Sequence, residues 1–139
     1  MTGDEPLNVQ CARALGWTGI EFRPEYAEPR WWGLEPIDVS PYRCRIDPYG
    51  DDTPEGWACT GPLLSEYGIE LDGPLGSLAE PEHQGLYAAY AMVSCTAHTT
   101  CALRERGHAM RAHGAHYCEA IARLVVRLAE LGKLEKVKR

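Results

Sequence analysis

Apolar positions recur at helical spacing at the start of the chain, where Leu7, Cys11, Ala14 and Leu15 share one face of residues 4–16. Asp4 can cap this helix, Pro6 suits its first turn, and Gly16 ends it. The pattern then breaks. Between residues 17 and 52, Pro24, Pro29, Pro36, Pro41 and Pro48 recur among Trp17, Phe22, Tyr26, Trp31, Trp32, Tyr42 and Tyr49. That proline spacing forbids a regular helix and a central strand, so the stretch reads as an ordered aromatic loop with one or two short edge strands. Thr53-Pro54 opens a second helix, with Trp57, Thr60, Leu64 and Tyr67 near one face. Gly61-Pro62 kinks it and Gly68 stops it.

The period then changes from helix to strand. Ile69 and Leu71 alternate with polar residues, Leu86 to Cys95 is rich in Tyr and Val, and Cys101 to Met110 suggests a third strand. The last helix is the clearest element, because Ile121, Leu124, Val125, Leu128 and Leu131 form one apolar stripe. Glu119 near its start and Arg127 and Lys133 near its end match the helix dipole, and Gly132 is its stop. This order predicts an α+β fold: a small antiparallel sheet packed with about three helices, in helix–sheet–helix layers. One domain over residues 1–133 is expected, with the 17–52 loop inside it and a basic tail over 134–139.

Charge changes the picture of a bland globule. The chain of 139 residues carries a net charge of −6, but unevenly. Residues 46–103 hold nine acids and no Lys or Arg, whereas residues 104–139 hold four acids and nine bases. Either the ends fold back and neutralise the middle, or the polarity steers the protein onto a charged partner. No stretch approaches the roughly 18 to 20 apolar residues of a membrane span. The acidic start, Met1-Thr2-Gly3-Asp4-Glu5, lacks the basic-then-apolar pattern of a secretory signal. The reading is therefore a cytoplasmic protein that engages no membrane. In that compartment the six cysteines are free thiols or metal ligands rather than disulfides.

Several segments carry a family likeness. They are Cys11-Ala12-Arg13-Ala14-Leu15-Gly16-Trp17, the aromatic stretch through Trp31-Trp32 to Pro41-Tyr42, Gly56-Trp57-Ala58-Cys59-Thr60-Gly61-Pro62 running to Glu66-Tyr67-Gly68-Ile69, and the helix from Glu119 to Gly132. Together they resemble small phage and prophage proteins with the phage ABA sandwich domain. The resemblance implies helix–sheet–helix layering and brings no catalytic signature. Small accessory phage proteins often bind and block host machinery. The likeness thus implies a non-catalytic, phage-encoded binding protein that inhibits a host defence complex, an anti-CRISPR protein being one such case. Its partner would be a host protein or ribonucleoprotein. The pattern departs between about residues 86 and 116, which are rich in His and Cys where a simple hairpin is expected.

The candidate chemistry is sparse. For partner binding, Asp47, Asp51, Asp52 and Glu55 form an acidic cluster that can face a basic groove, and Arg30-Trp31-Trp32 has the composition of an interface hot spot. Adjacent Trp residues in extended backbone face opposite ways, so one can pack in the core while the other binds. For metal, Cys95, His98, Cys101, His113, His116 and Cys118 are donors of the kind zinc takes. This supports an alternative reading as a zinc-stabilised regulatory or nucleic-acid-binding module, although no paired CxxC or HxxxH motif appears. A further alternative is a small cysteine-dependent hydrolase using Cys118 beside His116. His98-Thr99-Thr100 resembles half of a two-histidine phosphoesterase site, and no second half is present. No phosphate-binding glycine loop occurs. Direct nucleic-acid binding is not expected, since the overall charge opposes it and the basic tail is short. A homodimer is compatible with the sequence.

Overall fold

A computed structural model describes residues 5–23, 30–34, 44–93 and 108–134. The fold is α+β, built from short helices and two small antiparallel sheets. The first sheet has strand order β1 (Thr18–Arg23), β2 (Arg30–Leu34), β3 (Cys44–Arg45). Where one or two short edge strands in an aromatic loop are expected over 17–52, three strands form a ladder. The prolines do not prevent the ladder because Pro24, Pro29, Pro36 and Pro41 fall between the strands and Pro48 follows β3. A bulge interrupts β1 between Thr18 and Glu21, with Gly19 in a left-handed conformation (φ 59°). Beyond it, Phe22 opposes Trp31 and their rings meet at 5.3 Å. On the same face Gly33 leaves just enough room for Ile20 and Ile46, both of which pack on the core.

The second sheet has order β4 (Glu70–Asp72), β5 (Tyr87–Val93), β6 (His108–Gly114). β6 covers the described end of the third strand expected over 101–110 and continues to Gly114. Residues 94–107 lie outside the described residues. The register pairs Glu70 with Tyr90 and Tyr90 with Arg111 on one face, as it pairs Leu71 with Ala89 and Ala89 with Ala112 on the other. Ala89 and Ala112 are buried, together with Ala91, and Leu71 is half-buried against them. These small residues let α4 (Tyr117–Glu130) lie close against the strands. Gly114 marks the tightest approach, since a Cβ there would sit 2.7 Å from the Ala120 backbone nitrogen.

Helix α4 is the centre of the core. Ile121, Leu124 and Val125 are fully buried and Leu128 nearly so, as the stripe predicts. Leu131 departs from it: it follows the last helical turn and is 54 % exposed. Helix α4 also contacts α1 (Leu7–Ala14), which buries Val9, Cys11 and Ala12. The first helix therefore starts three residues later than the periodicity suggests, and Asp4 lies outside the described residues. The kink at Gly61-Pro62 becomes a break that separates α2 (Pro54–Thr60) from α3 (Leu63–Tyr67). Thr53 caps α2 by accepting from the Gly56 N–H at 2.9 Å, and Gly68 ends α3 in a left-handed turn. The Thr60 hydroxyl, fully buried, accepts from the Gly50 N–H at 3.0 Å and so fastens the end of the first-sheet segment to the helices.

Candidate functional site

The acidic stretch stays at the surface. Asp51, Asp52 and Glu55 sit in the turn before α2 and in its first turn, all exposed. Carboxylates there are favoured by the orphan N–H groups of the helix start. Glu66, Glu70, Asp72, Glu80 and Glu82 are exposed as well. Among the described residues none of these eight carboxylates is in an ion pair. Arg13 instead forks onto Glu5 and Arg123 reaches Glu119. Asp47 differs from its neighbours: it is half-buried and accepts from the Tyr49 hydroxyl at 3.4 Å. Trp57, expected on the packed side of the helix, is 46 % exposed on α2 beside this acidic turn. Gly56 and Thr60, four residues apart on one face, are the buried residues of α2.

The Arg30-Trp31-Trp32 segment is a strand, not a loop tip. Trp31 is partly buried against the core, and Trp32 lies on the opposite face of the sheet, opposed by Glu21 and Arg45. The two indoles therefore divide between core and outer face, as extended backbone requires. The Arg30 side chain lies outside the described residues.

The His and Cys candidates do not converge where they can be followed. Cys95, His98 and Cys101 lie outside the described residues. Among the described residues, no group of three or more His, Cys, Asp or Glu side chains is placed to hold a metal ion. His116 is the N-cap of α4, and its Nδ1 accepts from the Glu119 N–H at 3.2 Å. Glu119 answers by accepting from the Ala115 N–H at 2.9 Å, a reciprocal cap. Cys118 is buried in the first turn of α4, touching Thr60. Burial, then the nearby Asp52 carboxylate, push its thiol above the ordinary range. A thiolate nucleophile is disfavoured there, and the imidazole two residues away is engaged in capping.

His113 goes elsewhere. It stacks on His83 with ring centroids 4.0 Å apart and planes 7° from parallel. His83 belongs to a 3-10 turn (Pro81–His83) in the loop between β4 and β5. That loop folds over the sheet face that carries Tyr90, Arg111 and His113, away from α4. It is fixed by bonds between Leu75 and Leu86 and between Gly85 and Leu75, each 2.8 Å. The Tyr117 hydroxyl reaches Gly73 at 2.9 Å. Gly73 has φ 132° and passes so close to Tyr87 that no side chain fits. Between loop and strand lies a groove of about 600 Å³, lined by Asp72, Leu75, Leu78, Glu80, His83, Arg111 and His113 among others. His113 is pushed below the ordinary histidine range, by burial first and then by His83 and Arg111. Sequence reading singles out neither His83 nor Arg111. The period-two placement of Arg111 and His113 is the one signal that puts two of these groups on a common face.

Compared with protein-family models, curated proteins and solved structures, the chain finds no match. No helix among the described residues is long and apolar enough to cross a membrane.

Proposed function

We propose that the chain is a non-catalytic binding protein whose working surface is its acidic side, running from the Asp51–Glu55 turn through β4 to the 3-10 turn. The observation that carries this reading is the set of eight exposed carboxylates free of ion pairs. A run of unneutralised acids makes the local potential negative and steers the protein onto a basic surface. Trp57, half-exposed beside them, supplies the kind of aromatic anchor on which interface energy concentrates. The partner that fits is a protein or ribonucleoprotein whose groove is basic because it handles nucleic acid. With the resemblance to phage proteins, that partner becomes a host defence complex, such as a CRISPR effector, met in the host cytoplasm.

The test is capture of a host partner on the tagged full chain, in parallel with Asp51→Lys, Asp52→Lys and Glu55→Lys combined. The expected result is a captured basic partner whose binding weakens with rising salt and at least tenfold in the triple variant, while thermal unfolding stays unchanged. Binding indifferent to both salt and charge reversal would sink the reading.

A further inference from the structure

The groove over the second sheet brings three cationic or cationisable groups together from two separate elements. Arg111 and His113 are two residues apart on the outer face of β6, and His83 is delivered by the loop. Among the described residues Arg111 makes no ion pair. Its guanidinium lies 5.6 Å from the Tyr90 ring centroid, a contact that holds it in place and leaves its N–H donors available. Each histidine alone can take a proton near neutral pH. Stacked at 4.0 Å beside a guanidinium, the two cannot both do so cheaply, because the cations repel. An anion placed against them removes that obstacle.

We propose that this groove binds a small ligand through an anionic group, a phosphate or a carboxylate, held by His83, His113 and Arg111, and that a proton joins the histidine pair as the ligand binds. The rest of the lining describes the rest of the ligand. Asp72 from β4 and Glu80 from the loop face the same space, so the ligand body carries hydroxyl or amino donors on that side. Leu75 and Leu78 line the groove as well, Leu78 fully exposed, and they suit an apolar part. The size is that of a small-molecule site. The neighbouring strands add one more carboxylate: Glu70 lies opposite Tyr90 on the same face and accepts from its hydroxyl. β5 places Ala88 opposite His113, and the Arg123 guanidinium of α4 is turned to the His113 carbonyl at 3.4 Å. The carboxylates around the groove outweigh Arg111, so the site favours an anion only once the histidine pair takes up charge. Binding therefore strengthens as pH falls through the histidine range. The groove shares Asp72 and Glu80 with the acidic docking surface, but its test reads the histidine rings and the docking test reverses Asp51, Asp52 and Glu55, so the two readings fail separately.

The experiment is an NMR titration of the histidine rings in the full chain, in chloride, in inorganic phosphate and in acetate at matched ionic strength. The expected result is that His83 and His113 midpoints rise by about half a pH unit or more when the anion is present, while His116 does not follow. A response to phosphate alone assigns the group as phosphate, and a response to acetate admits carboxylates. In Arg111→Ala, with an otherwise unchanged amide spectrum, most of the rise is lost. Midpoints identical in all three salts, a rise shared equally by His116, or a rise undiminished in Arg111→Ala would each overturn the proposal.

Discussion

The Trp17 indole N–H donates to the Tyr49 hydroxyl at 3.3 Å, and that hydroxyl in turn donates to the Asp47 carboxylate at 3.4 Å. Both rings are buried and meet edge to face, 6.5 Å apart. The pair joins the residue just before β1 to the segment just after β3, so it closes the first sheet onto the helical core. Tyr49→Phe keeps the ring but leaves a buried N–H without its acceptor. Such a loss costs about 1 to 3 kcal/mol. Chemical denaturation should show that drop with an unchanged slope, and Trp17→Phe in the Tyr49→Phe background should cost little more on the hydrogen-bonding side.

Burial also sets how the fold responds to alkali. Cys11 is fully buried and its thiol is pushed far above the ordinary range, by burial alone. Tyr49 is raised as well, by burial first, with the Asp47 carboxylate adding to it. In the unfolded chain these groups ionise normally, so above the ordinary thiol pKa the unfolded state holds fewer protons than the folded one. Stability therefore falls as pH rises past about 9, at a rate approaching 1.4 kcal/mol per pH unit for the Cys11 thiol. Cys11→Ala should flatten the pH dependence between about pH 9 and 10, whatever it costs at neutral pH. An equally steep decline in the variant would show that other groups drive it.

What the sequence makes legible is what depends on neighbours along the chain. The α4 stripe as far as Leu128, the Thr53-Pro54 start and the Gly68 stop each need only a few adjacent residues and are found in place, and the kink read at Gly61-Pro62 is a full break. Features that depend on distant partners escape. Prolines between Trp17 and Asp52 look like strand breakers until the strands are seen to run between them. Trp57 looks packed by its spacing, yet the face of α2 that is buried is the one that carries Gly56 and Thr60. The His83–His113 stack joins residues thirty apart through a folded-over loop, and nothing local announces it. His113, His116 and Cys118 read as one donor cluster by spacing alone. Strand and helix then send His113 to the outer sheet face, His116 to the helix end and Cys118 into the interior.

The closest contact between sheet and helix gives a further test. A Cβ on Gly114 would meet the Ala120 nitrogen at 2.7 Å and the Glu119 Cβ at 2.8 Å. The first of these is backbone, so α4 itself must shift to make room. Gly114→Ala should therefore destabilise by about 1 to 3 kcal/mol, as overpacking does. Gly132→Ala removes a left-handed glycine at the end of α4 where a side chain has open space, and it should cost only the strain of the positive φ. Thermal unfolding of the two variants side by side separates packing from backbone strain. A Gly114→Ala protein as stable as the parent would mean that α4 rides higher on the sheet.

His116 decides between three roles that sequence spacing allows it: zinc ligand, catalytic base and helix cap. Its Nδ1 takes the Glu119 N–H, and Glu119 takes the Ala115 N–H, so each side chain satisfies a donor that the helix cannot. A cap works through any short side-chain acceptor, whereas a ligand or a base needs imidazole. His116→Ala should cost about 1 kcal/mol, and His116→Asn or His116→Asp should restore most of it. His116→Asp should restore more than His116→Asn at low salt, because a negative charge at the start of α4 is favoured by the helix dipole. Urea unfolding of the three variants, with and without a chelator, makes the distinction. Stability that follows the acceptor and ignores the chelator identifies the cap. Stability that is lost with chelator in the parent alone would return His116 to the metal-ligand reading.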